Sequence, residues 1–127
     1  MSTYLLDTNV IIDILNDKKG RRALLLDLLN QGHVLACCPI NVSEVYAGLR
    51  PKEETATEEF LRSLQYFDIT WPIARQAGLL KRGYSQKGRT LTISDATIAA
   101  VALHHNLTLI TANVRDFPMK ELLIYPS

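Results

Sequence analysis

The sequence predicts an α/β fold, a parallel sheet of four to five strands covered by helices on both faces, and three observations predict it. Short apolar runs alternate with segments of helical periodicity along all 127 residues. The segment 96–103 is rich in alanine and apolar on nearly every side, so it must be a buried central helix. Four carboxylates, Asp7, Glu44, Asp95 and Asp116, each stand at the edge of an apolar run. In an open parallel sheet the points where strands hand over to helices share one edge, and such folds place their sites there.

Each element follows from its local pattern. Tyr4-Leu5-Leu6 reads as the first strand, and Asn9 to Leu15 opens a helix that the polar segment 16–20 ends. Residues 21–29 are amphipathic and closed by Asn30-Gln31-Gly32. Residues 34–38 form the second strand, whose successive side chains point to opposite faces, so Cys37 and Cys38 are expected as unbridged, reduced core thiols. Pro39 and Asn41 introduce a helix through Gly48. Residues 51–64 form another, with its acids at the end the helix dipole favours. Residues 66–69 read as a strand, and Trp71-Pro72 opens a helix to about Arg82. A basic loop, 81–89, leads to the Ala-rich helix. Residues 108–110 form a strand, 111–118 a loop and 122–125 the final strand.

Length and composition set limits on function. One domain, 1–127, is expected, and a chain of this size buries roughly 68% of its extended surface on folding. Hydrophobic residues make up 47% of the sequence, yet no run approaches the roughly 20 apolar residues needed to cross a bilayer. The opening Met1-Ser2-Thr3-Tyr4 lacks the basic and apolar regions of a secretory leader, so a cytoplasmic location with no membrane role is expected. A net charge of +1 gives no whole-molecule field for nucleic acid. Local charge is a different matter: Tyr84, Lys87 and Arg89 in the basic loop are candidates to hold a phosphate backbone and stack a base.

Taken singly, each acid has a structural explanation. Asp7 or Thr8 can cap a helix, as can Ser94 or Asp95. Asn41-Val42-Ser43-Glu44 has the spacing of a capping box, and Asp116 can shape a turn or pair with Arg115. Taken together, four negative groups at one sheet edge would repel one another unless a positive charge sat among them. Oxygen ligands without Cys or His suit Mg²⁺ or Mn²⁺ rather than Zn²⁺. His33 precedes a strand, and His104 and His105 lie at a helix C-terminus, where the dipole favours partial positive charge. Carboxylates with a hard divalent cation are what phosphodiester hydrolysis requires.

The same residues carry a resemblance. Tyr-Leu-Leu-Asp7-Thr8-Asn9-Val-Ile-Ile-Asp13, Val42-Ser43-Glu44-Val45, Ser94-Asp95-Ala96-Thr97-Ile98-Ala99-Ala100 and Leu109-Ile110-Thr111-Ala112-Asn113-Val114-Arg115-Asp116-Phe117 resemble, in order and over nearly the whole chain, the PIN-domain ribonucleases and more narrowly the VapC-type toxins of bacterial toxin–antitoxin pairs. The resemblance implies a PIN-like α/β/α sandwich, a homodimer, and Mg²⁺- or Mn²⁺-dependent endonucleolytic cleavage of RNA. It implies Asp7, Glu44 and Asp95 as the first three acids, with Asp7 and Asp95 on the metal and Thr8, Asn9 and Thr111 as polar supports. Many relatives carry Asp where this chain has Asn113; others have the acid three residues later, so Asp116 takes the fourth role and Asn113 an orienting one.

A cognate antitoxin protein that inhibits the enzyme is also implied, with a structured RNA, tRNA or ribosomal RNA, as substrate. Sequence recognition in RNA loops rests on splayed bases and stacking surfaces. Two other classes compete. A Mg²⁺-dependent phosphotransfer domain would show paired acids after the first strand or a Lys after a late one, and here those places hold Asp7-Thr8-Asn9 and Thr111-Ala112-Asn113. A non-catalytic PIN-like RNA-binding or scaffold module would lack one or more of the acids, and all four are present.

Overall fold

The computed structural model describes residues 2–125; Met1 and residues 126–127, at the two ends of the expected domain, lie outside them. Five strands, β1 (Thr3–Leu6), β2 (Val34–Cys37), β3 (Gln65–Tyr66), β4 (Thr108–Ile110) and β5 (Leu123–Tyr125), form one parallel sheet in the order β3-β2-β1-β4-β5. The helices are α1 (Thr8–Leu15), α2 (Arg21–Asn30), α3 (Pro39–Ala47), α4 (Glu54–Ser63), α5 (Trp71–Gln86) and α6 (Ile93–His105). The expected α/β fold with a parallel sheet of four to five strands holds, at five.

Adjacent residues in each inner strand feed opposite faces, which is why these strands read as continuous apolar runs. Leu5, Ala36 and Leu109 pack with α5 and α6, whereas Leu6, Leu35, Cys37 and Ile110 pack with α1, α2, α3 and α4. Cys37 and Cys38 fall in different clusters, both buried and free. Burial pushes the Cys37 thiol up to about 11 and raises that of Cys38, so neither is a ready nucleophile. Residues 96–102 are all buried, as the Ala-rich pattern requires.

Several boundaries differ from expectation. The strand expected over 66–69 is only Gln65–Tyr66: Phe67 still donates its N–H to the Cys37 carbonyl at 2.9 Å, but regular pairing stops there, and the side chains of Phe67 and Ile69 pack against the α5–α6 core. Helix α5 runs on to Gln86 rather than Arg82, so most of the expected basic loop is helix. A stripe at Ile73, Ala77, Leu80 and Tyr84 packs on the core and carries it past Arg82. A 3₁₀ turn, Pro51–Glu53, precedes α4, and another, Val114–Asp116, shapes the loop after β4. Thr92, rather than Ser94 or Asp95, caps α6, accepting the Asp95 N–H at 3.0 Å. The connector from α1 to α2 holds Asp17, Lys19 and Gly20 in left-handed conformations.

Strand order reverses between β1 and β4: the chain moves outward through β2 and β3, then returns over the α5–α6 face to β4. In such sheets the crevice beyond the carboxyl ends at the reversal point is where ligands bind.

Candidate active site

Asp7 follows β1 directly at that reversal. Its N–H donates to the Ile110 carbonyl at 2.9 Å, extending the β1–β4 pairing by one bond. Asp7 is only 6% exposed, and its carboxylate caps α1: Oδ1 accepts the Thr8 N–H at 2.8 Å, and Oδ2 accepts the Thr111 hydroxyl at 2.7 Å. Thr111 is the residue immediately after β4, and its oxygen accepts the Asn113 N–H at 2.9 Å. Burial pushes the Asp7 carboxyl above its ordinary pKa despite both hydrogen bonds, and Glu44 and Asp116 push it further.

Glu44 lies on α3 and reaches the same place, its Oε1 accepting the Thr8 hydroxyl at 2.6 Å. Asp95 lies in the first turn of α6, which leads back into β4 and so begins at the carboxyl edge. Its carboxyl is raised first by burial and then by Asp7, Asp116 and Glu44, while Thr92 opposes the shift. Asp116 ends the 3₁₀ turn after β4 and is exposed. Acids 21 or more positions apart in the chain thus act electrostatically on Asp7 and Asp95 at one edge. Among the described residues none of the four is ion-paired.

This is a donor set of hard oxygens with no neutralising cation of its own, which fits a divalent metal. Among the described residues, no three Asp, Glu, His or Cys side chains close into a tight cage. A divalent ion that takes one or two carboxylates directly and keeps several waters does not need such a cage. The N-termini of α1 and α6 add partial positive charge at the same edge.

Other expected residues fall as follows. Asn9, in the first turn of α1, and Asn113, before the 3₁₀ turn, are exposed at the same edge. Asp13 is held instead by Arg21 at 3.7 Å and Lys19 at 3.8 Å. Tyr84, expected on a loop, is helical and partly buried, its hydroxyl donating to the Pro118 carbonyl at 3.4 Å and its ring covered by the Lys87 ammonium at 5.2 Å. Arg89 donates to the Arg115 carbonyl. Tyr84 and Arg89 therefore grip the loop that carries Asp116, Lys87 sits over the Tyr84 ring, and that ring is engaged within the fold.

The capping box expected at Asn41 to Glu44 is a correction. Pro39 takes the first helical position, so the cap falls at Cys38 and Asn41 is the third residue of α3. Asn41 is fully buried and bonds both Cys38 and Thr8, a link to the site that sequence reasoning missed. The signal was Pro39, which fixes the helix start. His105 also departs from expectation: burial, then His104, lowers its pKa, so the charge suggested by the helix dipole is disfavoured.

Residues 4–120 match the family described as PIN domain. A protein from Mycobacterium tuberculosis named Ribonuclease VapC19 is 36% identical over 115 residues, 91% of this chain and 92% of that relative. VapBC2 from Rickettsia felis, bound to a DNA fragment from its promoter, is similar in fold with a TM-score of 0.84 at 24% identity over 97% of each chain. DNA-bound VapBC from Salmonella typhimurium gives a TM-score of 0.82 at 26% identity over 98% of each chain. The ordered acids, the reversal-point geometry and these likenesses converge: the chain belongs to the PIN-domain family, among the VapC ribonucleases.

Proposed function

We propose that this protein is a Mg²⁺- or Mn²⁺-dependent endoribonuclease toxin that cuts structured RNA, in tRNA or ribosomal RNA loops, and is inhibited by a cognate antitoxin. One observation supports this above the others: acids from the end of β1, α3, α6 and the loop after β4 come together at the strand-order reversal, where Asp7 and Asp95 are held above the ordinary carboxylate range by burial and by the other acids, and among the described residues none of the four is ion-paired. Asp7 and Asp95 are the residues that would hold the metal, consistent with hydrogen bonds that fix Asp7 from two sides. When bound, such a metal neutralises the scissile phosphate and lowers the pKa of a coordinated water.

The chain's own residues do the rest. Glu44, steadied by the Thr8 hydroxyl, and Asp116 orient the attacking water and accept its proton. Thr111 and Asn113 hold the Asp7 side of the pocket, and exposed Asn9 faces substrate. Lys87 and Arg89 are the proposed phosphate contacts; Tyr84 serves them by position rather than by stacking. The protein partner is proposed from the VapBC assemblies to which the fold is similar. Clefts of about 490 and 560 Å³ beside α4, lined by Tyr46, Leu61 and Leu64 or by Leu25, Leu29 and Phe60, offer apolar surface for it. A homodimer and a cytoplasmic location complete the proposal; no described helix is long and apolar enough to cross a membrane.

The test is cleavage of total cellular RNA by the antitoxin-free protein with Mg²⁺, with Mn²⁺ and with EDTA, beside Asp7→Asn. Discrete fragments that require metal, with a loss of about 10²–10⁴-fold in the variant, are expected. Absence of cleavage under every condition would favour an RNA-binding or scaffold module.

A further inference from the structure

Buried Asn41 stands between the backbone of one helix start and the hydroxyl of another. Its Oδ1 accepts the Cys38 N–H at 2.8 Å, and its Nδ2 donates to Thr8 Oγ1 at 3.1 Å. The amide orientation is fixed by chemistry, because a backbone N–H only donates and must face the oxygen. The nitrogen then faces Thr8. A threonine hydroxyl has a single hydrogen, and with Asn41 donating to its oxygen that hydrogen goes to Glu44 Oε1, 2.6 Å away. Asn41 and Glu44 lie three positions apart on α3, so both reach Thr8 from one side of the helix.

We propose that Asn41 is a positioning residue for the reaction: its amide keeps the Thr8 hydroxyl a one-way donor and so holds Glu44 in place beside Asp7. The chain of bonds runs Cys38 N–H to Asn41, Asn41 to Thr8, Thr8 to Glu44, while the Thr8 N–H separately holds Asp7 at 2.8 Å. One residue at the start of α1 therefore sets the distance between two acids, and Asn41 sets the direction of that residue's proton. A donor polarised in this way also bonds the carboxylate more strongly than an isolated hydroxyl would. The kinetic part of this proposal rests on the ribonuclease reading.

Asn41→Asp separates the positioning role from a purely structural one. It keeps an oxygen for the Cys38 N–H but replaces the donor with an acceptor that competes for the Thr8 proton. Single-turnover RNA cleavage is measured for Asn41→Asp, Thr8→Val and the double variant, with melting in EDTA to establish that each folds. Both single variants are expected to lose roughly tenfold to a hundredfold in kcat, the worth of one hydrogen bond to a charged group, with KM changed by less than about twofold. The double variant falls no further than Thr8→Val, because the hydroxyl through which Asn41 acts is already gone. Parent-like cleavage by Asn41→Asp, or a double variant that multiplies the two losses, overturns the proposal.

Nuclear magnetic resonance of the metal-free parent gives a readout independent of activity and of the variants' folding. A slowly exchanging Thr8 hydroxyl proton with its nuclear Overhauser contact to the Glu44 side chain is expected. A hydroxyl proton directed only at Asn41 overturns the relay. Should the parent cleave no RNA, the ribonuclease reading falls while this measurement still decides where the proton points.

Discussion

Asp7 and Asp95 are carboxylates that the fold makes harder to ionise, chiefly because burial disfavours their charge. A carboxyl whose pKa is higher in the folded protein than in the unfolded chain binds more protons when folded, so stability falls as pH rises from the ordinary carboxylate range through the raised value. Metal-free protein should therefore be less stable at pH 7 than in mildly acidic buffer where these groups are protonated. Asp95→Asn should raise the melting temperature in EDTA at pH 7, with the gain shrinking toward pH 4; an equal or lower melting point at pH 7 would make Asp95 a structural cap. Thr111 works in the opposite sense, since its hydroxyl favours the charged form of Asp7. Thr111→Val should cost about 1–3 kcal/mol in urea unfolding at pH 7, and less at a pH where Asp7 is protonated. The acids themselves were legible at this scale because each interrupts an apolar run. Asn41 was not, since a buried amide in a polar stretch looks like any helix cap until Pro39 is given its place as the first helical residue.

At the scale of elements, the legible parts were those whose pattern and packing agree. Residues 96–102 could only be a buried helix, and the runs around Leu5-Leu6 and Leu35-Ala36 could only be inner strands of a sheet covered on both faces. The end of α5 was hidden because Gly83, Ser85 and a cluster of basic residues resemble a loop, whereas the Ile73–Ala77–Leu80–Tyr84 stripe outweighs the poor helix propensity of Gly83. Strand β3 was overdrawn for the converse reason: Phe67 and Ile69 are as apolar as strand residues but serve the helical layer. Helix α6 ends on Asn106 at φ 55°, a left-handed position that Asn tolerates better than most residues. Asn106→Ala should lower stability by about 1–2 kcal/mol, and Asn106→Gly should leave it unchanged or improved; urea midpoints for the two variants measure the difference.

For the whole molecule, the sheet order matters more than the net charge of +1. With charge so nearly balanced, the proposed attraction of RNA falls to local groups such as Lys87 and Arg89. Their joint replacement by alanine should weaken RNA binding and reduce the slope of log affinity against log salt by about 1.4 if both meet single-stranded phosphates. An unchanged slope would place the RNA elsewhere. The order β3-β2-β1-β4-β5 could not be read from periodicity, which finds strands but not their neighbours. It puts the first strand in the middle, beside one made a hundred residues later, and the bond from Thr111 to Asp7 spans 104 positions. That bond also has a meaning in time. At about 5–20 residues per second of synthesis, roughly 5–20 s separate the addition of Asp7 from that of Thr111. A nascent chain halted anywhere in that interval carries Asp7, and beyond position 95 three of the four acids, but has neither β4 to set beside β1 nor the hydroxyl that Asp7 accepts. Such a chain therefore lacks the bond that fixes Asp7, and the site is completed only after β4 and Thr111 have been made.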